Sequence, residues 1–148
     1  MKNKTRLIFT ALASSTLVWT ASAANLTWDA NNTGAGQTNG AGAWLGANQW
    51  WDGANNADWT DGDDATFGGP ATAGGAVTLA GPATVNSLTF NPSFTGTYTL
   101  GTAGQAMTLN SGITKNANSG LVTIASPITL GGAQTWLNNS SGALTGAA

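Results

Sequence analysis

The sequence predicts an all-β solenoid, a parallel β-helix that starts beneath a tryptophan-rich N-terminal cap. Glycine occurs 21 times in 148 residues and only 7% of residues are charged, a composition that favours strands and turns over long helices. Apolar–Thr–apolar triplets recur between turn-forming residues, as expected for half-buried strands. The triplets return roughly every 20 residues, a period typical of β-solenoid coils. An antiparallel β-sandwich of the same short strands is the alternative.

Residues 1–23 have the features of a secretory signal peptide. Three bases stand among the first six residues, and the apolar run 7–19 and the small residues ASA follow them. This order is that of a cleaved leader. The run is too short and too rich in Ser and Thr for a comfortable membrane span. We therefore predict cleavage between Ala23 and Ala24, a secreted or extracellular product, and no membrane insertion of the mature chain.

Removal of the leader leaves an acidic chain. Residues 24–148 contain one base, Lys115, against six aspartates, which gives a formal side-chain charge of −5. Without a basic patch, we expect no binding to nucleic acid or to anionic lipid. The same residues contain no Cys, His, Glu or Arg, which excludes zinc sites of the usual ligands and the Ser-His-Asp and Cys-His arrangements. We predict no catalytic residue, no metal site and no cofactor.

Residues 24–69 are rich in Trp, Asn and Asp, show no clear period, and are predicted to cap the first coil. An uncovered solenoid end would expose unpaired backbone groups and half a core. Tryptophan combines a large apolar area with one hydrogen-bonding edge, which suits a plug. The alternative is a platform of exposed rings that stack on sugars. Its candidate carbohydrate contacts are Trp28, Trp44, Trp50, Trp51 and Trp59.

Aspartates are the remaining candidates for chemistry. A pair of carboxylates can hydrolyse glycosides, and the run DGDD, residues 61–64, gathers three acids that suit calcium. The run lacks the alternate spacing and the distant acid of an EF-hand loop. Turn chemistry explains it more simply. We therefore predict a protein without enzymatic activity, in which Asp61→Asn and Asp64→Asn leave any measured cleavage of glycans unchanged.

Residues 70–148 are predicted to form the first coils, at about 77–97, 98–121 and 122–148. Each coil supplies three short strands, one per face of a prism, and equivalent strands stack in parallel about 4.8 Å apart. Moderate apolar residues face inward and threonines face water. Three series of stacked residues are predicted: Val77–Tyr98–Val122, Leu88–Met107–Ile128 and Phe94–Ile113–Trp136.

The final residues, SGALTGAA, continue the coil pattern without a polar cap, an aromatic closure or a charge. An uncapped coil leaves apolar surface and backbone groups open. We therefore expect a truncated chain, the front piece of a longer protein, that continues into or stacks on further β-helix coils.

Four segments together resemble a known family. LTWDANNTG, WWDGANNADWTDGDDATFGG, VTLAGPATVNSLTF and ITLGGAQTWLNNSSGALT occur in this order between residues 26 and 145. They resemble the start of secreted proteins with autotransporter-associated β-strand repeats, which are similar to autotransporter passenger domains. The resemblance implies a right-handed parallel β-helix on the outer surface of a Gram-negative-type bacterium. It also implies a stalk or adhesive surface structure, usually without enzymatic activity.

These observations predict a secreted or cell-surface structural module that resembles an adhesin. Its expected partners are surface glycans or receptors on host or neighbouring cells. The alternative function is a carbohydrate-binding module that uses the N-terminal tryptophans.

Overall fold

The computed structural model describes residues 22–33 and 36–147, and every regular element in them is a β-strand. The predicted signal peptide lies outside the described residues except for its last two. The strands are β1 (Asn25–Trp28), β2 (Gly42–Ala43), β3 (Trp50–Trp51), β4 (Asn56–Ala57), β5 (Asp64–Phe67), β6 (Ala76–Thr78), β7 (Ala83–Phe90), β8 (Thr97–Leu100), β9 (Met107–Lys115), β10 (Leu121–Leu130), β11 (Thr135–Asn138) and β12 (Leu144–Ala147).

The strands wind into a β-solenoid of about three turns. Face 1 stacks β2, β6, β8, the first half of β10 and β12. Face 2 stacks the first halves of β7 and β9 with the second half of β10. Face 3 stacks β1, β5, the second halves of β7 and β9, and β11. All these pairs are parallel, so the solenoid prediction is confirmed and the antiparallel sandwich is wrong.

The stacking register confirms the later half of each predicted series. The confirmed partners are Tyr98–Val122, Met107–Ile128 and Ile113–Trp136. The first step on face 1 is wrong, because Val77 aligns with Leu100 rather than with Tyr98. A slip of two residues keeps the same side chains inward, so the triplet pattern cannot distinguish the two registers.

The first stacking partners predicted in the other two series, Leu88–Met107 and Phe94–Ile113, are also wrong, because the chain turns a corner of the prism within β7. Leu88 aligns with Ile113 on face 3, since β7 changes face where its register shifts between Val85 and Ser87. Phe94 lies in the turn between β7 and β8 rather than in a strand. The long strands β7, β9 and β10 therefore each serve two faces of the prism, and the coil is a few residues longer than predicted.

The core is a single column of side chains inside the coils. Alternate residues of each strand point inward, and their burial patterns alternate accordingly along β5, β7 and β8. Residues exposed by at most 1% include Val77, Leu100, Ile124, Met107, Leu109, Leu88, Phe90 and Ile113. Burial of each such side chain contributes about 1.5–3 kcal/mol. This column holds the coils together without disulfides, since the chain has no cysteine.

The N-terminal edge of face 3 is covered by an antiparallel hairpin. β1 pairs in parallel with β5 on one side and antiparallel with β3 on the other, and β3 pairs antiparallel with β4. The outermost strand, β4, is only two residues long. Very short edge strands offer little template for pairing with another chain. The hairpin therefore blunts the edge that the first coil would expose.

Candidate functional site

The segment 24–69 is organised around an aromatic cluster, here called the aromatic plug, formed by Trp28, Trp44, Trp50, Trp59 and Phe67. Trp50 lies at its centre, with ring centroids 5.3 Å from Trp28, 4.8 Å from Trp44 and 4.8 Å from Trp59. Phe67 closes the cluster 5.6 Å from Trp50. Most of these pairs are edge-to-face, the arrangement that the ring quadrupoles favour.

The indole edges are tied to the backbone of the loops around the plug. Trp28 Nε1 donates to the Gly40 carbonyl at 3.1 Å, and Trp50 Nε1 donates to the Trp44 carbonyl at 2.9 Å. The buried Nε1 of Trp44 has no acceptor within residues 22–33 and 36–147. Two of the three buried indoles thus fix loops that have no regular secondary structure of their own.

Burial divides the five predicted carbohydrate contacts into two groups. Trp28, Trp44 and Trp50 are at most 1% exposed. A sugar ring cannot stack on them in this structure, because their faces are covered by other rings. The five residues therefore do not form one platform. Trp51 and Trp59 are half-buried and keep some ring surface in solvent.

The buried carboxylate of Asp29 organises the loop behind the plug. Its Oδ1 accepts hydrogen bonds from the Thr38 N–H at 2.9 Å and the Thr38 hydroxyl at 2.8 Å. Its Oδ2 accepts from Asn56 Nδ2 at 2.7 Å. Three bonds compensate the burial of this charge. They join the end of β1 to the following loop and to β4.

The three carboxylates of the DGDD run each accept a hydrogen bond from another part of the chain. Asp61 Oδ1 accepts the Thr84 N–H, Asp63 Oδ1 accepts the Ala24 N–H, and Asp64 Oδ1 accepts Asn86 Nδ2, each at 2.8 Å. Two of these bonds run to β7 in the next coil, and the third runs to the residue that precedes β1. The described residues hold no group of three acidic, His or Cys side chains arranged for a metal ion.

The two remaining aspartates stabilise turns. Asp52 Oδ1 accepts the N–H groups of Asn55 at 2.6 Å and Ala54 at 2.7 Å, and these bonds hold the pKa of Asp52 below its ordinary value. Asp58 Oδ1 accepts the N–H of Asn48 at 2.8 Å. All six aspartates thus accept hydrogen bonds within the fold.

Lys115 is buried in the core, which the sequence analysis missed. Its inward position follows Phe90 in the stack on face 3, and its Nζ donates to the Ser119 carbonyl at 3.2 Å. Removal from water lowers the pKa of Lys115. A signal was present in the sequence, because the triplet Ile113–Thr114–Lys115 places lysine where other triplets place an inward apolar residue.

We predict that Lys115→Met raises the free energy of unfolding by on the order of 1 kcal/mol at pH 7. The unfolded chain binds the proton of Lys115 more readily than the folded chain, so the wild type gains stability as pH rises toward 10.5. Burial raises the pKa of Tyr98, which therefore stays protonated in this window. Urea unfolding of both proteins at pH 7 and 10 checks this. An equal difference in unfolding free energy between Lys115→Met and the wild type at both pH values would contradict this prediction.

Threonines form straight ladders on the outside of the solenoid. In-register pairing stacks threonine on threonine in successive coils, and none of these side chains is buried. Adjacent rungs are about 4.8 Å apart. The ladders are Thr27–Thr66–Thr89–Thr114 on face 3, Thr84–Thr108–Thr129 on face 2 and Thr99–Thr123–Thr145 on face 1.

The last described coil keeps the register of the core but leaves its side chains open. Leu130 lies on Leu109 and is 60% exposed, and Trp136 lies on Ile113 and is 47% exposed. Their partners in the coil below are almost fully buried. This end therefore presents an apolar surface bordered by unpaired strand edges.

These features define the class of the protein as a β-solenoid with an aromatic plug at one end and regular hydroxyl ladders on its faces. Comparisons with protein-family models, curated proteins and solved structures find no match. Within the part of the chain that the structure describes, no helix has the length and apolar character of a membrane span.

Proposed function

We propose that this chain is a secreted or cell-surface structural module that adheres to neutral polyhydroxyl surfaces through the threonine ladder on face 3, without enzymatic activity. The observation that carries the proposal is the four-rung ladder on face 3, from Thr27 to Thr114. Hydroxyls at regular spacing both donate and accept hydrogen bonds. Each contact is weak, and many contacts on one rigid face add through multivalency.

Charge restricts the partner. The formal side-chain charge of −5 on residues 24–148 repels anionic glycans and anionic lipid. Neutral glycans of host or neighbouring cells are therefore the favoured partners.

The exposed terminal coil supports a second part of the proposal, that a further β-helix coil stacks on this end. Leu130 and Trp136 occupy inward positions in register with buried residues. A coil of similar composition would bury them and pair the open edges of β11 and β12. In that arrangement the module is the plugged end of a longer rod, as the resemblance to passenger domains also implies.

The adhesion proposal is tested with the double variant Thr89→Val, Thr114→Val. Valine keeps the shape and the strand preference of threonine, so the fold is expected to persist. Beads coated with the protein are presented to immobilised neutral polysaccharide, and the variant is expected to reduce retention about tenfold or more, as multivalent binding does when each contact weakens. The matched control is Thr84→Val, Thr108→Val on face 2, which should retain the beads.

Other outcomes separate the alternatives. If beads coated with either double variant are retained as well as beads coated with the wild type, the face 3 ladder is not the contact surface. Loss of retention in Trp51→Ala alone would support carbohydrate contact through the half-exposed tryptophans instead. Release of soluble sugar that stops in Asp61→Asn or Asp64→Asn would overturn the non-enzymatic proposal and indicate carboxylate catalysis.

A further inference from the structure

Ala24 is held on both sides by the DGDD run. Its N–H donates to Asp63 Oδ1 at 2.8 Å, and its carbonyl accepts from the Asp64 N–H at 2.8 Å. It directly precedes β1, the first rung of face 3. The nitrogen that contacts Asp63 is also the nitrogen of the bond at which the sequence predicts signal cleavage, between Ala23 and Ala24.

The carboxylate of Asp63 is poorly compensated in the uncleaved chain. Its side chain is only 9% exposed, and the Ala24 amide is the one donor that reaches it among the described residues. Burial of a carboxylate is costly without a cation or several donors. The only side-chain base of residues 24–148 is Lys115, which is committed to Ser119 inside the core. The side chains of the mature chain therefore offer Asp63 no positive partner.

We propose that Asp63 is a binding site for the chain's own processed N-terminus. Peptidase hydrolysis after Ala23 consumes one water. The new carboxyl group leaves with Ala23, and the amine stays with Ala24 and is largely protonated near neutral pH. The nitrogen already lies at hydrogen-bonding distance from Asp63, so the ion pair forms without rearrangement of the loop. The acceptor is ionised both before and after cleavage, but the new ammonium group adds the attraction of a full positive charge to the hydrogen bond.

The consequence is that β1, and with it the aromatic plug, is held more firmly once the leader has been removed. Ala24 leads into Leu26 and Trp28, which are buried in the core and in the aromatic plug. An ion pair at Ala24 anchors β1 against β5 in the register that aligns Asn25 with Asp64. In the leader-bearing precursor the donor to Asp63 is an uncharged amide, so its first coil is held less firmly. The inference goes beyond adhesion and rests on the predicted cleavage position.

The test uses the exported, processed protein. Mass spectrometry should first show a chain that starts at Ala24. The α-amine is then acetylated near pH 7, with peptide mapping to separate it from Lys115. In the folded wild type we expect acetylation about tenfold slower than in Asp63→Asn, because the carboxylate favours the protonated amine, which does not react. Protein acetylated in urea and refolded should melt roughly 3–6 °C lower than the unmodified wild type.

Asp58→Asn is the matched control, because it makes the same charge change on a carboxylate that bonds Asn48 rather than Ala24. It should leave the acetylation rate and the effect of acetylation on melting unchanged. Should Asp63→Asn fail to fold, the rate in the native wild type is compared with the rate in urea, and about a tenfold gap is again expected. Equal rates, or a mature terminus other than Ala24, overturn the proposal. Bead retention is not measured in this test, so its failure leaves the adhesion proposal untouched.

Discussion

Replacement of Trp50 by alanine is expected to lower the free energy of unfolding by about 3–5 kcal/mol, the usual cost of emptying a buried aromatic site. Trp50 is fully buried and contacts four other rings: those of Trp28, Trp44, Trp59 and Phe67. Its indole N–H also fixes the Trp44 carbonyl. The neighbouring rings are themselves held by loops and strands, so they can fill the space only in part. The loss is a large share of the roughly 5–15 kcal/mol that stabilises a typical domain.

The adjacent residue provides the control. Trp51 follows Trp50 in β3, points to the opposite face and is half-buried, so Trp51→Ala should cost about 1 kcal/mol or less. Urea unfolding followed by far-ultraviolet circular dichroism measures both values. If Trp50→Ala does not fold, Trp50→Phe keeps part of the ring contact and should show an intermediate loss. Equal costs for Trp50→Ala and Trp51→Ala would contradict the aromatic plug as a stabilising unit.

Replacement of Gly112 by alanine is expected to cost about 3 kcal/mol or more, and to act on the terminal coil first. Gly112 has φ +144°, and an added Cβ would overlap the carbonyl oxygen of Thr135 and lie 2.8 Å from its nitrogen. Those atoms belong to the backbone of β11 in the next coil, so the two strands must separate. Backbone strain of about 1–2 kcal/mol then adds to lost hydrogen bonds of about 1 kcal/mol each.

Gly104→Ala is matched to this change. Gly104 also has a positive φ, +89°, but an added Cβ there meets nothing within 4 Å. It should therefore show the backbone strain alone, about 1–2 kcal/mol. Hydrogen exchange should accelerate in residues 135–138 of the Gly112→Ala protein and stay unchanged there in Gly104→Ala. A uniform loss of protection in both variants would argue against close stacking of the coils at Gly112.

The strands could be predicted because their cause is local, and their return roughly every 20 residues favoured a winding chain over the sandwich. Each strand must bury one side and expose the other to solvent, so apolar residues and threonines alternate along it. Glycine and asparagine mark the turns, and positive φ values at Asn48, Asn118 and Gly96 agree with this. Three of the six predicted stacking partners are correct for the same reason.

The partners that failed depended on where the chain turns a corner. Val85 and Leu88 stand in one strand but on two faces, and neither composition nor period marks the corner between them. A shift of two residues also preserves the inward side, so Val77 could be assigned to Tyr98 as readily as to Leu100. Only the packing of coil upon coil selects one register, because each inward side chain must fill the space above a particular neighbour.

By itself, the sequence determined that this chain winds, that threonine faces water, and that a tryptophan-rich segment precedes the coils. The tertiary structure decided which tryptophans are buried, that β3 and β4 run antiparallel across the first edge, and that Asp63 faces Ala24. The physical reason is distance along the chain. Alternation is enforced between neighbouring residues, whereas Asp63 and Ala24 meet across 39 positions only after the coils have stacked.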